Sequence, residues 1–230
     1  MSLSENIAAV KANIAAAARQ AGRETGSVTL VAATKTQSSD TIRAAIQAGI
    51  TVCGENRVQE LTAHLDDFAY DGAAVHFIGH LQTNKVKFVV GRVDLIESVS
   101  SLKLLEAINA QAAKLNLVQD ILLEINIGRE QTKSGFVPEE ALAAARRAVE
   151  LPSVRLRGLM AIPPVSAQPG GSRPFFRQMQ KLYVDIRHSL EDNGMSVSCL
   201  SMGMSADYPD AVAEGATLVR VGTALFGPRS

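Results

Sequence analysis

Eight short apolar runs recur along the chain, and all but the last are followed by a stretch with helical spacing. The runs are 28–34, 50–53, 75–78, 95–99, 121–127, 154–162, 198–202 and 218–221, and the intervening helical patterns are 40–49, 57–68, 84–90, 102–115, 138–150, 175–190 and 208–215. A strand followed by a helix must return to the sheet in the same direction, so this rhythm predicts parallel βαβ units. Eight such units predict a (β/α)8 TIM barrel, whose usual length of about 250 residues suits this chain. A doubly wound open sheet is the competing arrangement. No Gly-x-Gly-x-x-Gly turn opens the first unit, which weakens it. Residues 4–21 read as a helix capped by Ser4, with Ile7, Val10 and Ile14 at helical spacing. It precedes the first strand and reads as an addition to the barrel. No linker interrupts the rhythm, so residues 1–230 are expected to form one domain.

The first run, Leu30-Val31-Ala32-Ala33-Thr34, ends in Lys35. A lysine at the end of a buried strand is poorly solvated, which favours the free amine that imine chemistry requires. The simpler alternative is a lysine whose stem lies on apolar surface while its head snorkels to water.

Bulk properties narrow the classes. Hydrophobic residues make up 47% and charged residues 20%, enough apolar content for a packed core. Lys plus Arg equals Asp plus Glu at 23 each, which argues against an electrostatic nucleic-acid binder. Cys53 and Cys199 have no metal-ligand spacing, so no metal site and a reducing compartment are expected. No run of about 18 apolar residues predicts a membrane span. The first residues lack the apolar core of a signal peptide, so a cytoplasmic location is expected.

In barrels of this type the chemistry sits where strands run into βα loops. Collected there are Lys35, Asn56, His80, Asn126, Met160, the run 201–207 and Arg220 with Gly222 and Thr223. Phosphate sites often lie in the loops after strands seven and eight. Gly203 permits close backbone approach, Ser205 supplies a hydroxyl, and Gly222 with Thr223 repeats the combination. The alternative is that Ser205 or Asp207 simply caps the next helix. Arg220 interrupts the apolar strand 218–221 and must find partners, either a carboxylate or a ligand atom. A phosphate site, a poorly solvated lysine and an arginine around one cavity suggest pyridoxal 5′-phosphate as cofactor. Arginine at the pyridine nitrogen would keep the ring unprotonated and make it a weak electron sink.

These residues lie in stretches that carry a wider resemblance. Leu30–Thr36 (LVAATKT), GENRVQE at 54–60, HFIGHLQTNK at 76–85, KSG at 133–135, RGLMAI at 157–162, LSMGMSAD at 200–207 and VRVGTALFG at 219–227 resemble the pyridoxal-phosphate homeostasis proteins. That family is related to the barrel domain of alanine racemase. The resemblance implies a modified (β/α)8 barrel with an N-terminal helix and the cofactor as an imine on Lys35. It implies phosphate contacts from Ser205, Gly222 and Thr223, and Arg220 facing the pyridine nitrogen. Asn56 and Met202 would line the pocket, with His80 at its mouth. Lys133 matches a second lysine associated with cofactor handover.

The implied function is cofactor binding in vitamin B6 homeostasis, with pyridoxal-phosphate-dependent apoenzymes as candidate recipients and no turnover. Alanine racemases draw a second acid/base, a tyrosine, from another domain, which is not expected here. Of Tyr70, Tyr183 and Tyr208, only Tyr208 is near a predicted loop. The alternative is an amino-acid racemase using Tyr208 or His80. A third reading is a phosphosugar enzyme with Lys35 as an aldolase-type amine.

Overall fold

The computed structural model describes residues 2–166, 168–190 and 197–227. Eight strands lie in sequence order and close on themselves: β1 (Thr29–Ala33), β2 (Val52–Glu55), β3 (Ala74–Phe77), β4 (Leu95–Val99), β5 (Gln119–Ile125), β6 (Val154–Ala161), β7 (Cys199–Ser201) and β8 (Leu218–Val221). Every neighbouring pair is parallel, and β8 returns to β1 with Val31 beside Arg220 and Ala32 beside Val221. Closure replaces the open-sheet alternative and leaves no sheet edge.

Around the strands run α1 (Leu3–Gln20), α2 (Ser39–Gln47), α3 (Val58–Asp66), α4 (Leu102–Lys114), α5 (Ala141–Glu150), α6 (Arg173–Leu190), α7 (Tyr208–Ala213) and α8 (Thr223–Phe226). Most boundaries differ from the sequence reading by a residue or two. The expected helix at 84–90 is a 3₁₀ turn, Thr83–Phe88, and the helix expected from Pro138 begins with another, Pro138–Glu140. Residues 223–226 form α8, and 228–230 lie outside the described residues. Among the described residues no helix is long and apolar enough to cross a membrane.

One expectation about α1 changes. Its cap is Ser2, not Ser4: the Ser2 hydroxyl accepts from the Glu5 N–H at 3.3 Å and the Glu5 carboxylate accepts from the Ser2 N–H at 2.7 Å. Only Ser2 has a carboxylate three residues on, so only Ser2 completes the reciprocal box. The additional N-terminal helix is present and closes the ring. α8 is a single turn, too short to cover the junction of β8 and β1. α1 packs against α7, α8 and α2 and so takes the eighth place in the helical ring. Its stripe Ile7, Val10, Ile14 and Ala18 is buried there.

Period-two alternation divides the core into two layers. Ile7, Ile42, Leu61, Phe77, Leu105, Ile121 and Leu200 belong to the layer between strands and helices. Val31, Ala33, Val52, Ile78, Leu95, Leu122, Met160 and Leu218 form a separate cluster inside the barrel. The inward series fixes which residues arrive at the mouth.

Candidate functional site

On β1 the inward residues Val31 and Ala33 lead to Lys35, half-buried at the rim. Its turn is clamped from both sides. The Thr34 hydroxyl donates to the buried Glu55 carboxylate at 2.6 Å, and the Thr36 N–H donates to Glu60 at 2.9 Å. Thr36 sits at φ 64°, a region that costs a β-branched residue on the order of 1–3 kcal/mol. Two carboxylates from β2 and α3 hold this strained turn in place and so fix where Lys35 leaves the barrel. Burial pushes the Glu55 carboxyl above its ordinary range, while the Thr34 hydroxyl and His64 pull it back.

Asn56 follows β2 on the same inward parity. The neighbouring turn requires Gly79, because a Cβ there would run into the Asn56 carbonyl oxygen. The Asn56 side-chain oxygen is buried and has no hydrogen-bond partner.

Below the rim lies a buried polar floor. Arg220 is 4% exposed and Glu97 fully buried. The Arg220 guanidinium donates to the Ser201 hydroxyl and, at 2.9 Å, to the Ala161 carbonyl, with Glu97 3.8 Å away. Glu97 also accepts from Ser201 at 2.6 Å and from the His76 Nδ1–H at 2.7 Å. These bonds cross the barrel from β4 to β7 and β8. Burial alone would raise the Glu97 carboxyl, but the hydrogen bond and charge of His76, then Arg220 and Ser201, hold it below its ordinary value. Burial lowers the Arg220 value while Glu97 and Glu124 oppose that change. One of the two partners expected for Arg220, a carboxylate, is therefore present.

The loops after β7 and β8 are joined by Ser205. Its hydroxyl accepts from the Gly222 N–H at 3.1 Å and the Ala224 N–H at 3.3 Å. The hydroxyl therefore does not cap α7, and Asp207 makes no side-chain cap there either. Asp207 instead accepts from the Met204 N–H at 2.8 Å. Gly203 has φ 91°, and a Cβ there would meet the Ala211 side chain, so the loop lies flat on α7. Gly222 adjoins Ala33, two residues before Lys35. The short helix after β8 that such barrels use near phosphate is α8, and Thr223 is its first residue.

Beside this arc opens a cavity of about 290 Å³ lined by Asn56, His80, Ser98, Glu124, Asn126 and Lys133 among others. His80 pairs with the Ser134 hydroxyl at 3.1 Å. Lys133 forms an ion pair with Glu130 and reaches the Pro163 carbonyl at 3.4 Å, spanning the loops after β5 and β6. Ser98 has a buried hydroxyl without a partner. Burial pushes the Glu124 carboxyl up to about 7, against the pull of Arg220.

Asn56, His80 and Lys133 thus share one cavity. Lys35, Ser205, Gly222 and Thr223 ring the adjoining arc, with Arg220 beneath. Met202 does not line the cavity. Its outward parity on the β7 side buries it completely in the outer core. Tyr208 also points away: its hydroxyl meets Asn13 of α1 at 3.2 Å. The Tyr70 hydroxyl meets His64 and that of Tyr183 donates to the Val197 carbonyl. His76, Glu97, Glu124 and Ser201 were not foreseen as a set. Among the described residues no cluster of His, Cys, Asp or Glu could hold a metal ion.

The family described as alanine racemase, N-terminal domain, matches residues 6–230. The pyridoxal phosphate homeostasis protein of Aquifex aeolicus is 41% identical over 229 residues, covering 100% of this chain and 99% of that one. Its namesake from Pasteurella multocida is 38% identical over 231 residues, covering 100% and 98%. Among solved structures, PipY of Synechococcus elongatus with pyridoxal phosphate bound superposes with a TM-score of 0.84 at 32% identity, covering 98% of this chain and 100% of that one.

Proposed function

The chain belongs to the alanine racemase N-terminal domain family, with pyridoxal phosphate homeostasis proteins as full-length relatives, and we propose that it binds pyridoxal 5′-phosphate on Lys35 without turnover. One observation carries the reading. The residues that this cofactor needs end consecutive strands around one arc: Ser205 after β7, Gly222 and Thr223 after β8, Lys35 after β1 and Asn56 after β2. The reading is also supported by the unpartnered Asn56 oxygen and Ser98 hydroxyl, polar atoms left for a ligand at the adjoining mouth.

The bound group supplies an aldehyde, a phosphate and a pyridine nitrogen. Lys35 offers its amine to the aldehyde. Ser205, Gly222 and Thr223 would surround the phosphate, with the Ser205 O–H and the Thr223 N–H and hydroxyl as donors, while the Gly222 and Ala224 N–H groups stay on the Ser205 oxygen. Arg220 keeps N–H donors beyond the bonds it makes to Ser201 and Ala161, since a guanidinium has five. A permanent cation there disfavours protonation of the pyridine, which suits retention better than carbanion chemistry. Absence of turnover is supported by the tyrosines, none of which reaches the mouth cavity. His80 and Lys133 are placed at the rim where a recipient apoenzyme would meet the cofactor.

The test is spectroscopic. Purified protein with the cofactor should show a visible absorption band that borohydride fixes onto Lys35. A Lys35→Ala protein that still forms the reducible adduct at full occupancy would overturn the assignment. A racemase is the second reading, favoured by the cavity carboxyl of Glu124 near pKa 7 as an acid/base. Robust racemisation by pure protein, lost in Lys35→Ala, would establish it instead.

A further inference from the structure

The contacts of α1 reach the back of the phosphate arc. Asn6 and Asn13 are seven residues apart, two turns of helix, and therefore share one face. Asn6 donates its side-chain N–H to the Leu225 carbonyl at 2.9 Å, and Asn13 donates to the Tyr208 hydroxyl at 3.2 Å. Leu225 lies two residues beyond Thr223 in α8. Tyr208 lies three residues beyond Ser205 and opens α7. Between the two asparagines Val10 is buried, and Ile7 and Ile14 flank it in the same seam. Gly203 is pressed against Ala211 of α7, so a shift of α7 carries the loop with it. A shift of α8 moves the Gly222 and Ala224 N–H groups off the Ser205 hydroxyl. α1 thus braces both halves of the loop pair without touching the mouth.

We propose that Asn6 and Asn13 are positioning residues for the cofactor's phosphate, and that the docking of α1 onto α7 and α8 sets how long the phosphate is held. This inference rests on the function proposed above. It gives the eighth ring helix a task that an ordinary covering helix would lack. The bonds are neutral and partly buried, of the kind whose loss changes an equilibrium by about fivefold.

The experiment compares two ligands, pyridoxal 5′-phosphate and pyridoxal, on the wild type, Asn6→Ala, Asn13→Ala and Asn13→Asp, with a thermal melt of each to confirm folding. Each alanine variant should release pyridoxal phosphate about fivefold faster and leave the affinity for pyridoxal unchanged. Asn13→Asp cannot donate but can accept from the Tyr208 O–H, reversing the bond that Asn13 makes, and should recover most of the loss. A general loosening of the fold would weaken both ligands equally and would overturn the proposal. Alanine variants that release the phosphate ester at the wild-type rate would overturn it too, and would leave the cofactor reading standing. A wild type that binds neither ligand would remove both.

Discussion

Along the arc from β7 through β8 to β1, Ser205, Thr34, Thr36 and Arg220 are each bonded within the protein. Ser205 joins two loops, Glu55 and Glu60 hold the turn around Lys35, and Arg220 is bonded beneath. Across the mouth, from β2 to β5, the Asn56 oxygen and the Ser98 hydroxyl are buried without partners and Glu124 is desolvated in the cavity. The two halves differ in what a ligand would change. The paired arc is a preorganised frame that holds its shape unaided, so little ordering cost falls on binding. Each unmet group in the open half carries a desolvation penalty that a bound water or an incoming ligand relieves. Retention would come from the first half and the response to occupancy from the second.

The largest expected effect tests the frame. Glu97→Ala leaves the Arg220 charge buried without its carboxylate, and removing one member of such a pair costs about 3–5 kcal/mol. Urea unfolding reads this directly. A loss below about 1 kcal/mol, the level of an exposed pair, would mean that the floor does not underpin the paired arc.

The next pair of variants sets one half against the other. Ser205→Ala strands two N–H groups and should cost about 1–2 kcal/mol in the ligand-free protein. Asn56→Ala removes an oxygen that has no partner, and the penalty relieved offsets the packing lost, so unfolding free energy should stay within about 0.5 kcal/mol. Equal costs would erase the distinction between the halves.

The smallest effect is a pH dependence. The Glu124 carboxyl is raised from 4.5 to about 7 in the fold. Between those values the native state holds a proton that the unfolded chain has lost, so stability falls as pH rises and levels off above about 7. Glu124→Gln should abolish that fall. It should gain about 1 kcal/mol over the wild type at pH 8 and nothing at pH 4, after discounting for partial exposure. Thermal melts across this range are the measurement, and parallel curves for both proteins would show that Glu124 titrates normally.

Much of this was legible because strand rhythm and loop chemistry are local. Lys35, Ser205 and Arg220 stand out in sequence by type and position. Arg220 was visible as a charge inside an apolar run, and the same signal marks Glu97 in Leu95–Val99 and Glu124 in Gln119–Ile125. Those two were missed because period two alone does not say which face of a strand is inside a closed barrel. Only the register does, and it also turns Met202 outward. The cap at Ser2 was readable from Glu5. The place of α1 was not, because a single-turn α8 reveals a gap only once the ring has been closed.

That gap in the ring has a consequence for how the protein is made. Asn13 and Tyr208 are 195 residues apart in the chain, and Asn6 and Leu225 are 219 apart. A ribosome releases α1 long before α7 and α8 exist, and its apolar stripe must wait for them. The seam that closes last in synthesis is the one behind Ser205 and Gly222. Under the proposed function, a nascent chain acquires Lys35 early and the loops proposed to hold the phosphate last, so an unfinished barrel would not hold the cofactor.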